Sequence, residues 1–297
     1  MGDAIIAITV EHCQSWREIP GSEFGRHIIA NDWEHKKQLL QSQIVEESQN
    51  QTKFPAECLS VVIPVYNEER TVAKVIAAVL KLERLKEVIV VDDSSSDGTA
   101  GVLAGVAAQF PKVKCTRHDR NRGKTAALGT GFAMSTGDIV IVQDADMEYD
   151  PTEIPEVIGP ILAGRADVVF GSRFLVRKAA RVIYFYHYLA NKLLTFCSNL
   201  FTNLNLTDVE TGYKAFRGEI IRNMILESKG FGCEIEVTAK VAKLKCRVYE
   251  VPISYYGRTY EEGKKIGAKD GIDAFWYIVR YNVFASLKGS YRAMPKL

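Results

Sequence analysis

The feature that most constrains this chain is a repeated unit in which a short run of apolar, mostly β-branched residues ends in a polar cluster. Residues 59–64 run into Pro64-Val65-Tyr66-Asn67-Glu68, and residues 87–91 into Asp92-Asp93-Ser94-Ser95-Ser96-Asp97-Gly98-Thr99. Residues 138–143 run into Gln143-Asp144-Ala145-Asp146, and residues 168–171 into Gly171-Ser172-Arg173. A further strand is expected at 113–117. Helical stretches at 69–82, 99–110 and 125–134 separate these runs. Strand and helix in alternation predict right-handed βαβ units and a largely parallel α/β sheet flanked by helices. Ligands of such sheets lie beyond the carboxyl ends of the strands, where these polar clusters stand.

Length and composition narrow the function classes. The 297 residues allow one large domain plus an appendage. The boundaries expected are an N-terminal extension, helical in part, over 1–58, a catalytic domain over 59–258, and a basic loop with an amphipathic helix over 259–297. A formal net charge of +2 argues against a nucleic-acid binder, whose affinity rests on neutralising many phosphates. The six cysteines form no C-x-x-C pair, so neither a zinc ribbon nor a disulfide framework is suggested, and a reducing cytoplasm is the simpler setting. No stretch reaches the ~18 apolar residues of a spanning helix, and acidic Asp3, Glu11 and Glu18 do not suit a signal peptide.

The acidic clusters carry the chemistry. Asp92 and Asp93 stand side by side at a strand end, where they repel unless they meet donors such as a base edge or ribose hydroxyls; the serine-rich turn after them also suits a helix cap. Asp144 and Asp146 lie two apart after a buried strand, a spacing that can turn both carboxylates toward one hard cation, Mg²⁺ or Mn²⁺. The rival reading is an unliganded acidic turn. Asn121-Arg122-Gly123-Lys124-Thr125 is not a Walker loop, because His118 stands where the first glycine is required. It suits a basic loop opening a helix whose N-terminal amides favour an anion.

Arg258, Lys264, Lys265 and Lys269 fall in a glycine-punctuated segment that suits a lid over phosphates, with a plain basic linker as the rival. Asp208 and Glu236 are candidate bases, although Asp208 also suits a helix cap, and Glu234 and Glu236 suit pairs with Lys240 and Lys243. The aromatic segments at 181–201 and 275–281 suit either core packing or a bilayer surface. His118 and His187 belong to no ligand or nucleophile pattern.

Taken together, Pro64-Val65-Tyr66-Asn67-Glu68, Asp92-Asp93-Ser94-Ser95, Asn121-Arg122-Gly123-Lys124, Asp144-Ala145-Asp146 and Gly171-Ser172-Arg173 resemble family 2 glycosyltransferases, in their dolichol-phosphate mannose synthase-like branch. The match runs from about residue 59 to 282. The resemblance implies a GT-A fold and an inverting transfer of a hexose from GDP-mannose or UDP-glucose to a polyprenyl phosphate. It implies a nucleotide-sugar pocket of Pro64, Tyr66, Glu68, Asp92, Asp93 and Lys124, with Asp144 and Asp146 holding metal and diphosphate, and Arg173, Arg258 and Lys265 engaging phosphates. The basic loop departs from many relatives, reading Glu-Gly-Lys-Lys-Ile where they carry Ser before Lys.

An acceptor phosphate, with a second pKa of ~6, is mostly dianionic at neutral pH and needs no strong base. Asp146 and Arg173 would then carry catalysis by charge stabilisation. The family's membrane-anchored members add transmembrane helices after the catalytic domain, whereas this sequence stops at Leu297. A lipid acceptor therefore calls for the amphipathic segments or a membrane partner protein, at the cytoplasmic face of a membrane. The alternatives are a hydroxyl acceptor with Asp208 or Glu236 as base, a sugar nucleotidyltransferase, against which the missing glycine-rich pyrophosphate loop counts, and a non-catalytic nucleotide-sugar sensor.

Overall fold

A computed structural model describes residues 54–175, 184–230, 232–257 and 268–296. Most of the expected N-terminal extension, up to residue 53, lies outside the described residues. The first half runs β1 (Leu59–Val65), α1 (Val72–Val79), β2 (Leu85–Asp92), α2 (Thr99–Gln109), β3 (Val113–Arg117), α3 (Lys124–Met134) and β4 (Ile139–Val142). The second runs α4 (Ile154–Leu162), β5 (Val168–Ser172), α5 (Phe185–Thr202), β6 (Lys214–Arg217), α6 (Gly218–Asn223), α7 (Gly232–Leu244), β7 (Val248–Pro252), α8 (Ala268–Val279) and α9 (Leu287–Ser290).

The strands form one sheet in the order β3-β2-β1-β4-β6-β5-β7. β1 lies parallel to β2 and β4, β2 to β3, and β5 to β7, while β6 runs antiparallel to both neighbours. The sheet is thus mostly parallel, with one reversed strand that residue patterning at 214–217 did not announce.

Alternation along each strand divides the core. Val61, Ile63, Val88, Val90, Ile139 and Ile141 face one side, where α1 adds Val72, Val75, Ile76 and Val79, and α4 adds Ile154, Val157, Ile158 and Ile161. The spacing i, i+3, i+4, i+7 lays one stripe of each helix on the sheet. Val62, Ile89, Val91, Val140 and Val142 face the other side, against Ala127, Leu128 and Phe132 of α3. Helix α3 comes so close there that a Cβ on Gly131 would stand 2.3 Å from Val62 Cγ1. Each fully buried side chain contributes roughly 1.5–3 kcal/mol, so two-sided burial makes this sheet the rigid platform of the chain.

A third, smaller cluster joins Val209, Ile235, Ala274 and Ile278 with Leu194, Cys197 and Tyr277, seaming α5, α7 and α8 together. The outer faces of α5 and α8 stay apolar and exposed, with Phe185, Leu193, Phe196, Leu200, Ile272 and Trp276 all more than half accessible. The aromatic segments thus divide, inner residues joining the core and outer ones meeting solvent. Among the described residues no helix is long and apolar enough to cross a membrane.

Candidate active site

The loops after β1 and β2 are bound to each other. Asn67 takes a left-handed φ of 57°. Its carboxamide oxygen accepts from the Ser96 amide, and its own amide donates to Ser95 Oγ. The Glu68 amide donates to Thr99 Oγ1, and Asp92 Oδ1 accepts from the Ser95 amide while Arg117 Nε stands 3.4 Å from Oδ2. Tyr66 is left half-exposed at the rim.

Asp93 builds the floor. Its Oδ1 accepts from His118 Nδ1 at 2.6 Å and the Arg122 amide at 2.9 Å, and its Oδ2 from the Gly123 amide at 2.7 Å. Gly123 has a φ of 88°, which a side chain would strain, and Lys124 follows it as the first residue of α3. His118, for which the sequence suggested no role, buttresses Asp93 from below and reaches Thr130 Oγ1 at 2.9 Å. The one available signal was its position immediately after β3, at the same sheet edge as the acidic clusters.

Pro64, Tyr66, Glu68, Asp93, Lys124, Asp144 and Asp146 line a single cleft of about 340 Å³. Of the eight residues expected around a nucleotide sugar, only Asp92 is outside that lining, its carboxylate turned to the Ser95 turn. Lys124 Nζ stands 2.9 Å from Asp144 Oδ1 and 3.2 Å from Glu234 Oε1. Burial works against the ammonium, but Asp144 and Glu234 outweigh it and hold its pKa well above the usual lysine range. On the other side of Asp144, a Cβ on Gly212 would meet Oδ2 at 2.6 Å, so glycine lets the backbone close against the carboxylate. The Gly212 amide donates to Tyr149 OH, whose pKa burial pushes up to about 12. Asp146 Oδ1 accepts from the Glu148 amide, across Met147 at φ 64°.

Among the described residues no three His, Cys, Asp or Glu side chains gather into a metal cage. Two carboxylates at a cleft mouth instead suit a Mg²⁺- or Mn²⁺-type cation, which takes one or two protein carboxylates and completes its shell with phosphates and water.

Beyond β5, Arg173 is clamped. Its Nε and Nη2 donate to the two oxygens of Asp208 at 2.6 and 2.7 Å, and its guanidinium lies 5.0 Å from the Tyr255 ring centre. Asp208, a candidate base, is fully buried with its carboxylate engaged by Arg173. Glu236, the other candidate, accepts from the Glu227 and Ser228 amides and from Lys240 Nζ at 2.6 Å, and is not among the residues lining the cleft.

The carboxyl group that does stand out is Glu210, between Asp208 and Gly212 on the same loop. Its Oε1 is buried without a hydrogen-bond partner. Burial first, then the nearby Glu234 charge, pushes its pKa up to about 8. Sequence alone gave no reason to prefer it over its neighbours. Arg258, Lys264 and Lys265 lie outside the described residues, and Lys269 sits in α8.

The profile of glycosyl transferase family 2 matches residues 60–225, more than half the chain. An undecaprenyl-phosphate mannosyltransferase of Micrococcus luteus is 29% identical over 238 residues, covering 77% of this chain and 95% of that protein. A dolichol-phosphate mannosyltransferase of Pyrococcus furiosus is 30% identical, over 70% of this chain and 59% of its own length. Among solved structures, glucosyl-3-phosphoglycerate synthase of Mycobacterium tuberculosis with Mn²⁺, UDP and phosphoglyceric acid superposes with a TM-score of 0.60 at 19% identity, over 81% of this chain and 82% of that one. The sheet and its flanking helices are therefore of GT-A type, and the chain belongs to glycosyl transferase family 2.

Proposed function

We propose that the chain transfers a hexose, with inversion, from GDP-mannose or UDP-glucose to a polyprenyl phosphate at a membrane surface. The observation that carries the acceptor assignment is the exposed apolar face of α5 beside Arg173. Tyr188 of α5 packs edge-on against Phe174 at 5.3 Å, one residue from Arg173, and Lys192 lies over the Phe174 ring at 4.4 Å. A lipid whose chain lies along Leu189, Leu193 and Phe196 would thus carry its phosphate toward a fixed guanidinium. The relatives named as polyprenyl-phosphate mannosyltransferases support the same acceptor. The exposed apolar faces of α5 and α8 suit peripheral attachment in this reading.

In this mechanism the loops after β1 and β2 hold the nucleoside, with Pro64, Tyr66 and Glu68 forming one wall and Asp93 fixing the floor. Asp144 and Asp146 would hold a divalent cation, which would supply Lewis-acid stabilisation of the departing nucleoside diphosphate. Arg173, its plane locked by Asp208 and Tyr255, neutralises the incoming phosphate and aligns it in line with the donor bond. The acceptor phosphate is already dianionic above its second pKa of ~6 and needs no base.

Nucleoside-diphosphate release from GDP-mannose and from UDP-glucose, with Mn²⁺ and a short polyprenyl phosphate, tests this reading. Release should depend on the lipid and fall on the order of 100-fold or more in Asp146→Ala. Metal-dependent release indifferent to the lipid would reject the acceptor.

A second reading, a hydroxyl acceptor, is favoured by Glu210, whose pKa near 8 suits a general base. A pH–rate profile separates the two: a phosphate acceptor gives a plateau above about pH 7, whereas a Glu210 base gives a limb near pH 8 that Glu210→Gln abolishes.

A further inference from the structure

The cleft contains a cation of its own, seated on the metal motif. The Lys124 ammonium contacts both oxygens of Asp144, at 2.9 and 3.2 Å, and is held from behind by Glu234 Oε1 at 3.2 Å. A divalent cation bound to Asp144 needs oxygens at about 2.0–2.2 Å and cannot share that side of the carboxylate with an ammonium. Any side chain at 212 would crowd Asp144 as well, since a Cβ there would meet Oδ2 at 2.6 Å. Glu234, in the first turn of α7, keeps a second oxygen, Oε2, buried and without a hydrogen-bond partner. A buried carboxylate oxygen left unmatched in one state is accounted for if it is matched in another.

We propose that Lys124 is a tethered counter-ion of the Asp144–Asp146 pair: its ammonium holds the cation's side of Asp144 until a cation–nucleoside diphosphate complex arrives, then turns about Glu234 onto a diphosphate oxygen. This rests on the reading that the cleft takes a metal-bound nucleoside diphosphate. Lys124 then does two jobs in sequence, competing with the bare cation and binding the anion that accompanies it. The displaced ammonium stays within reach of both Glu234 oxygens, so its charge is never left unpaired. Cation and nucleoside diphosphate therefore bind with positive coupling, each relieving the obstacle to the other. Glu234 is a positioning residue, acting through Lys124 rather than touching the ligand.

The test is Mn²⁺ titration of the full chain by calorimetry, without nucleotide and with saturating GDP or UDP. In the unaltered protein the nucleotide should strengthen Mn²⁺ binding within the range of about 5- to 150-fold typical of coupled sites. Lys124→Met should tighten binding of Mn²⁺ alone and reduce the nucleotide's strengthening to the part that phosphate oxygens give by ligating the cation directly. Glu234→Gln should do the opposite to Mn²⁺ alone, weakening it, because Lys124 is left with Asp144 as its carboxylate. The double variant should behave as Lys124→Met.

Lys124→Met that leaves Mn²⁺ binding unchanged or weakens it overturns the proposal, and so does a Glu234→Gln effect that persists in the double variant. If neither GDP nor UDP binds at all in the presence of Mn²⁺, the donor reading fails instead. The Mn²⁺-alone shifts still decide whether Lys124 screens Asp144.

Discussion

The two halves of the cleft hold their carboxylates in different ways. On the donor side, Asp92 and Asp93 are anchored by backbone amides, those of Ser95, Arg122 and Gly123, with His118 beneath. On the acceptor side, Asp208 is anchored chiefly by the long cationic side chain of Arg173, whose amide adds a longer bond at 3.2 Å, and Glu234 behind the metal motif is likewise held by Lys124. Amide anchors tie the carboxylate to the shape of a loop. Side-chain anchors tie it to a group that can itself meet a ligand. Removing a carboxylate should therefore disturb a loop on one side and, on the other, also the cation that meets the ligand.

The largest effect expected is at Asp93. Asp93→Ala strands the Arg122 and Gly123 amides and the His118 ring, and at about 1–3 kcal/mol for each buried group left unsatisfied the loss of stability should exceed roughly 3 kcal/mol, read as a shift in denaturant midpoint. Asp208→Ala leaves the Arg173 guanidinium without its buried partner and should cost a comparable loss of about 3–5 kcal/mol by that readout, with the greater loss in kcat/KM. Equal losses of kcat/KM would break the comparison. Next is Arg173→Lys, which keeps the charge but gives up the two-pronged grip on Asp208. A charge-assisted hydrogen bond contributes about 1.5–3 kcal/mol, so turnover with a phosphate acceptor should fall roughly 10- to 100-fold while nucleotide affinity barely moves.

The same contrast governs what could be read from the sequence. The strand ends were legible because their signals are local: β-branched runs fix β1, β2 and β4, and the polar clusters follow each strand at once, so Asp93, Asp144 and Asp146 had to reach one edge. The pairings between side chains join distant pieces. Arg173 meets Asp208 across 35 positions and Lys124 meets Glu234 across 110, and no periodicity records such pairings. That Asp208 is engaged by Arg173 and Glu236 by Lys240 is likewise invisible in the sequence, because a free carboxylate and a committed one have the same letter. β6 is a four-residue strand, Lys214–Arg217, reversed against its neighbours, and too short to show its alternation.

A smaller effect is expected on the outer face of α5. Leu193→Glu removes one exposed apolar side chain from the proposed bilayer contact, and with roughly 1.5–3 kcal/mol per buried side chain, sedimentation with anionic vesicles should weaken about tenfold or more. Thermal stability should stay unchanged, since this residue is 61% exposed. Unchanged vesicle binding would confine the lipid to the cleft mouth and sever α5 from the acceptor side.

The smallest effect concerns Glu210, the carboxyl group that belongs to neither anchoring scheme. Its pKa is raised from the ordinary glutamate value to about 8, so the folded chain keeps a proton there that the unfolded chain has released. The stability this contributes is fully present below the unfolded value of 4.5 and is lost as pH rises through 8. Glu210→Gln is neutral at every pH and escapes that loss, so its melting temperature should match the parent near pH 5 and exceed it at pH 8 by about 2–4 °C for each kcal/mol recovered. Lys214 opposes the trend, because burial lowers its pKa while Glu234 and Glu210 support its charge. Its ammonium keeps the Val209 and Thr211 carbonyls as acceptors in the variant, which limits the opposition. A melting difference that stays flat between pH 5 and pH 8 would mean that Glu210 is already ionised in the folded chain. The acceptor side would then carry one more negative charge facing Arg173, and a dianionic phosphate would enter against it.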